Sequence, residues 1–141
     1  NEGRNKMMTF PVITALCAGI LGIVACVLAG HVGSYRGVAK VTIGDGGNEE
    51  LICRMRKQGN FTEYVPLALL ILALLEMSGS AGNMAIAIMG AALVISRILH
   101  PLGLKPDGSP TMFRMIGMLG TLPVMLISSI WLIYDHFSRA M

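Results

Sequence analysis

Residues 7–35 contain no Lys, Arg, Asp or Glu, and neither do residues 77–96 or 115–134. Each stretch matches the roughly 20 helical residues needed to cross a bilayer core of about 30 Å. In hydrocarbon the backbone finds no water, so a spanning segment has to bond its own N–H and C=O groups, and a helix does so. A fourth stretch, residues 64–75, is uncharged over only about 18 Å of helix at roughly 1.5 Å per residue. The segment RMRKQGNFTEY in front of it, residues 54–64, therefore sits at or below the membrane surface. With 54% hydrophobic and only 13% charged residues, the chain lies outside the profile of a soluble domain.

The pattern predicts an all-α integral membrane four-helix bundle, one domain over residues 7–141. Its helices are expected at about 8–36, 49–77, 82–101 and 112–137. Residues 1–6 carry no apolar pattern and read as a disordered end. Arg4 and Lys6 precede an apolar run, but that run is about twice the length of a secretory h-region, so it is read as a retained helix.

Charge asymmetry orients the bundle. Arg36, Lys40, Arg54, Arg56 and Lys57 flank the connection between helices 1 and 2, and Arg97, Lys105 and Arg114 flank the one between helices 3 and 4. The other side has Arg4, Lys6 and Arg139. By the positive-inside rule the 1–2 and 3–4 loops face the cytoplasm. The net charge of +3 is then accounted for by topology and anionic lipid, with no nucleic-acid partner.

Cys17 and Cys26 sit about 13 Å apart along one predicted helix, too far to bridge. Cys53 stands alone, and no Cys/His spacing suits a metal. All three read as small apolar filler. Helix 1 repeats small residues at Ala18, Gly22, Cys26 and Gly30, and helix 4 offers Gly117, Gly120 and Thr121. Either set lets another helix approach closely, within a subunit or between subunits. Pro66 and Pro123 each remove a helical hydrogen bond and predict bends. The Gly44–Asn48 cluster lacks phosphate-loop spacing; Asn48 reads as a helix cap, with Glu49 and Glu50 in the favoured first turn. Pro101, Pro106, Gly108 and Pro110 predict a longer loop after helix 3.

Arg56, Asn60 and Glu63 follow i, i+4, i+7 spacing and share one helix face. An ionisable residue at membrane depth is a candidate functional site, because it is costly unless paired or facing a cavity. Helices of alternating direction bring Arg36, Arg97, His100 and Arg114 to the same membrane face. Glu63 is read as the single intramembrane carboxylate, so positive charge is in surplus there. Such a surplus favours a ligand bearing carboxylates.

The run from Arg56 to Pro66, with Arg, Asn and Glu at this spacing before a proline, resembles the helix 2 signature of the MAPEG family, the membrane-associated proteins in eicosanoid and glutathione metabolism. The four-helix layout and the places of Arg36 and Arg97 are also similar, from about Met8 onward, and the likeness is to the short bacterial branch, which implies a bacterial inner membrane. The resemblance implies a homotrimer binding glutathione near the cytoplasmic face between neighbouring subunits. By position, Arg56, Asn60, Glu63 and Tyr64 would contact glutathione, with Arg56 on a carboxylate and Glu63 on the amino group. Arg36 and Arg97 would add positive charge or brace the site. Arg114 matches the arginine proposed in catalytic members to stabilise the thiolate. An apolar second substrate would enter from the lipid. His100 and Leu104 stand near places where catalytic eukaryotic members tend to have tyrosines.

The implied activity is that of a membrane glutathione transferase with possible peroxidase activity. The alternatives are a non-enzymatic lipid-binding protein of the same fold and a small transporter whose Glu63 carries protons. Each residue also has a plainer reading. Arg56 and Lys57 can snorkel to the interface, Glu63 can pair with Arg97 to hold helices 2 and 3, and Tyr64 can belong to an aromatic belt. Arg114 can be a topological anchor and His100 a helix-end residue. Trp131, Tyr134 and Phe137 read as the belt on the far side.

Overall fold

The computed structural model describes residues 10–140. Four helices account for most of the chain: α1 (Val12–Ala39), α2 (Glu49–Ser78), α3 (Asn83–Leu102) and α4 (Met112–Ala140). All four are long and apolar enough to cross a membrane. The expectations for residues 1–6 and for helix at residues 8 and 9 fall outside the described residues; Phe10 and Pro11 are not helical, and α1 opens at Val12 rather than at about residue 8. Pro101 lies in the last turn of α3 rather than opening the loop. The turn closes beyond it, where the Gly103 N–H reaches the carbonyls of Leu99 and His100.

α2 and α3 form the central pair, and each packs against both α1 and α4. Among the described residues α1 and α4 do not pack on each other. Leu21, Leu72, Leu75, Ile86 and Leu93 fill the space between helices. Leu16, Ile23, Leu119, Leu126 and Ile133 point outward, as they should where the solvent is lipid.

The two small-residue sets serve different ends. A Cβ on Gly117 would meet His100 Cβ at 2.5 Å and the Ser96 carbonyl at 2.9 Å, and one on Gly120 would collide with Ser96 Oγ. Those glycines set the close approach of α4 to α3. Nothing lies within 4 Å of a Cβ built on Gly22 or Gly30, and the α1 stripe at Gly22, Cys26 and Gly30 is exposed.

Local chemistry fixes the helix ends. Asn48 Oδ1 accepts the Leu51 N–H at 2.9 Å, capping α2 as its position predicts. α2 ends at Gly79 in the left-handed region, φ 62°, which glycine adopts without steric cost. α1 has no side-chain cap of its own at Pro11. The buried Glu76 carboxylate near the end of α2 supplies one instead, accepting the backbone N–H groups of Ile13 (2.9 Å) and Thr14 (2.8 Å) and the Thr14 hydroxyl (2.7 Å). A carboxylate at a helix N-terminus is doubly favoured, by orphan donors and by the helix dipole. Glu63 is therefore not the single carboxylate within the bundle. Glu76 is a second one, and no side-chain pattern in the sequence marks it, since its acceptor role is toward backbone groups of α1.

Replacing Glu76 with Ala leaves buried donors on α1 without acceptors, each costing roughly 1–3 kcal/mol. We expect a clear fall in the thermal unfolding midpoint in detergent for Glu76→Ala and a smaller one for Glu76→Gln. A wild-type midpoint in the alanine variant would remove Glu76 as the anchor of α1.

Candidate functional site

Among the described residues Arg97 is the most deeply buried charge, 2% exposed. Isolated in hydrocarbon it would be severely destabilising, so its partners have to be fixed by the fold. Its Nη1 donates to Asn60 Oδ1 on α2 at 3.0 Å, and its Nη2 donates to the Gly117 carbonyl on α4, also at 3.0 Å. The guanidinium carbon stands 5.6 Å from the centroid of the Tyr64 ring, within cation–π range. Nε has no hydrogen-bond partner among the described residues. One arginine thus joins three helices at the loop-bearing end that also carries Arg56 and Arg114.

Beside this junction lies a cavity of about 460 Å³ bounded by α2, the end of α3, the 3–4 loop and the start of α4. Its polar lining is Arg56, Asn60 and Glu49 from α2, His100 from α3, Lys105 from the loop and Arg114 from α4. Arg56, Lys105 and Arg114 bring three positive charges against the one carboxylate of Glu49. The Asn60 carbonyl oxygen is taken by Arg97, which leaves its two N–H donors for the cavity. The lining is rich in donors and cations, so the cavity suits an anion with more than one acceptor group. Its volume lies within the roughly 300–1,000 Å³ of small-molecule sites.

The expected site residues divide into three groups. Arg56, Asn60 and Arg114 line the cavity together. Arg97 and Tyr64 stand behind it, with Arg97 bracing Asn60. Arg36 and Glu63 do not line it. The Arg36 guanidinium is engaged by carbonyls of the 1–2 loop, the shortest contact being 2.8 Å to Gly44. Glu63 is exposed, and the alternative pair with Arg97 is not formed in the single chain, where the Arg97 Nη atoms bond Asn60 and the Gly117 carbonyl instead.

Lys105, Glu49 and Cys53 join the lining without having been singled out for it, and His100, read as a helix-end residue, faces it too. Arg97 and His100, three apart, lie on one face of α3. That spacing was the available signal for His100. Nothing local marks Lys105, whose place depends on how the loop folds over α2. In that loop the Ser109 backbone N–H bonds Asp107 Oδ1 at 3.0 Å, and this bond, with the Ser109 hydroxyl, holds the Asp107 carboxyl below the usual range. Asp107 is therefore an anion at neutral pH.

The MAPEG family model matches residues 14–134, nearly the whole described bundle. The chain belongs to that family. Inner membrane protein YecN of Escherichia coli K12 is 33% identical to this MAPEG protein over 95 residues, covering 65% of the chain and 70% of YecN. YecN of Escherichia coli O6:H1, strain CFT073, matches to the same extent. No solved structure gives a significant match. With four apolar spans and an inner-membrane relative, this MAPEG protein is an integral protein of the bacterial inner membrane.

Arg97→Ala removes two charge-assisted hydrogen bonds, each typically contributing about 1.5–3 kcal/mol. We expect this variant to unfold at a clearly lower temperature in detergent. Asn60→Ala, which leaves the Gly117 bond in place, should cost less. Equal midpoints for wild type and Arg97→Ala would contradict the three-helix junction.

Proposed function

We propose that this protein is a membrane glutathione transferase, with peroxidase activity as a second use of the same thiol. The observation that carries the reading is the cavity where Arg56, Lys105 and Arg114 converge around Asn60 with one opposing carboxylate. Glutathione has two carboxylates and a thiol, and a donor-rich cationic cavity can hold all three as anions. Arg56 and Lys105 take the carboxylates. Arg114 stands by the sulfur, where a guanidinium lowers a thiol's pKa and so favours the thiolate, the reactive nucleophile. The thiolate then attacks an electrophilic carbon of an apolar substrate arriving from the lipid: the C–S bond forms as the bond to the leaving group breaks, the leaving group departs with that electron pair, and the thiol proton has gone to solvent.

A homotrimer completes this reading. The exposed small-residue stripe of α1 suits close approach by another copy. Glu63, about 4.5 Å further along α2 than Asn60 at roughly 1.5 Å per residue, is exposed on the single chain and in this reading meets the amino group of glutathione where a neighbouring copy closes the site. In this arrangement the site opens to the cytoplasm through the positively charged loop face.

Calorimetry on detergent-purified protein should show glutathione binding, weakened roughly tenfold or more in Arg56→Ala, the loss expected for a charge-assisted contact. No heat with the wild type would refute both the ligand and the reaction. An ultraviolet difference signal for bound thiolate should be lost in Arg114→Ala. Binding with no thiolate signal would favour the non-enzymatic binding protein instead.

A further inference from the structure

A second cavity, of about 310 Å³, shares no lining residue with the cationic one. It is a groove between α1 and α3, walled by Ile23 and Val27 on one side and Ile98 and Leu102 on the other, and it ends at His31 and Lys57. Val27 and Leu102 are 50% and 67% exposed, so the groove opens sideways to the bilayer. His31 and Lys57 also line an adjoining, more polar recess together with Glu50 and Arg54. An apolar trough thus leads into a charged end at the loop-bearing membrane face.

The charges at that end do not cancel. Arg54 Nε pairs with Glu50 at 2.6 Å, its Nη1 donates to the His31 carbonyl, and its guanidinium lies 4.3 Å from the Tyr35 ring centroid. Glu50 is therefore neutralised and Arg54 is engaged on three sides. Lys57, half-buried one turn further along α2, has no hydrogen bond or ion pair among the described residues. One ammonium remains at the mouth of an apolar groove.

We propose that this groove is a binding site for an anionic phospholipid of the loop-side leaflet, with one acyl chain lying between α1 and α3 and the phosphate on Lys57. The lateral opening lets a chain enter without leaving the bilayer, while the second chain stays among bulk lipid. Charge complementarity selects the headgroup: a net anion neutralises Lys57, whereas a zwitterion brings its own cation to a site that already has one. The site is separate from the glutathione cavity and does not depend on that reading.

The test uses the full-length protein in nanodiscs of equal phosphatidylglycerol and phosphatidylcholine, with lipids retained on release identified by native mass spectrometry. The wild type should keep phosphatidylglycerol in preference. Lys57→Gln should reduce that preference about fivefold, the effect of one lysine near an anionic surface. Lys40→Gln, which removes an exposed loop cation outside both cavities, should leave it unchanged. Val27→Trp, which fills the groove from an exposed position, should abolish retention with helicity intact by circular dichroism. Equal preference in wild type and Lys57→Gln, equal losses in the two lysine variants, or lipid still held by Val27→Trp would each overturn the proposal.

Discussion

A buried guanidinium in a membrane bundle cannot stand without partners, and the partners of Arg97 come from two other helices. Its bonds to Asn60 and to the Gly117 carbonyl fix where α2 and α4 lie relative to α3. The Gly117 bond also depends on close packing, since a side chain at that position would collide with His100 and Ser96. Charge and small-residue packing therefore act at one place. At the other end of the bundle Glu76 does the corresponding work, tying the first turn of α1 to the end of α2.

This junction shapes the cationic cavity beside it. Close contact between α3 and α4 sets the start of α4 near the end of α3, so Arg114 and His100 reach the same space as Arg56. Arg97 itself stays behind the wall and holds the Asn60 carbonyl, so it acts on the cavity through Asn60. Its charge adds to the positive field without its side chain lining the space. Arg97 thus braces the wall of which Asn60 is part.

The helix 2 motif was legible as one polar face, and two of its three members, Arg56 and Asn60, do line the cavity. Glu63 lies about 10 Å further along the axis than Arg56 at roughly 1.5 Å per residue. Helical periodicity gives angular position but not the depth at which a cavity ends. Arg36 was correctly placed near the same membrane face, yet its guanidinium satisfies carbonyls of the loop that follows it. Lys105 entered the site only because the 3–4 loop folds back over α2. Glu76 was missed for a related reason: its partners are backbone groups more than 60 residues away, and no side-chain pattern announces them.

By itself the sequence determined four apolar helices, their spacing, the charged membrane face and the family motif. These depend on local quantities: run length, charge count and helical period. The tertiary structure decided which helices touch, which glycines serve packing within the chain, which cations converge and which are already engaged. Those outcomes depend on partners far apart in the chain, and for buried charges in a membrane the partner decides whether a residue holds the fold or remains available to a ligand.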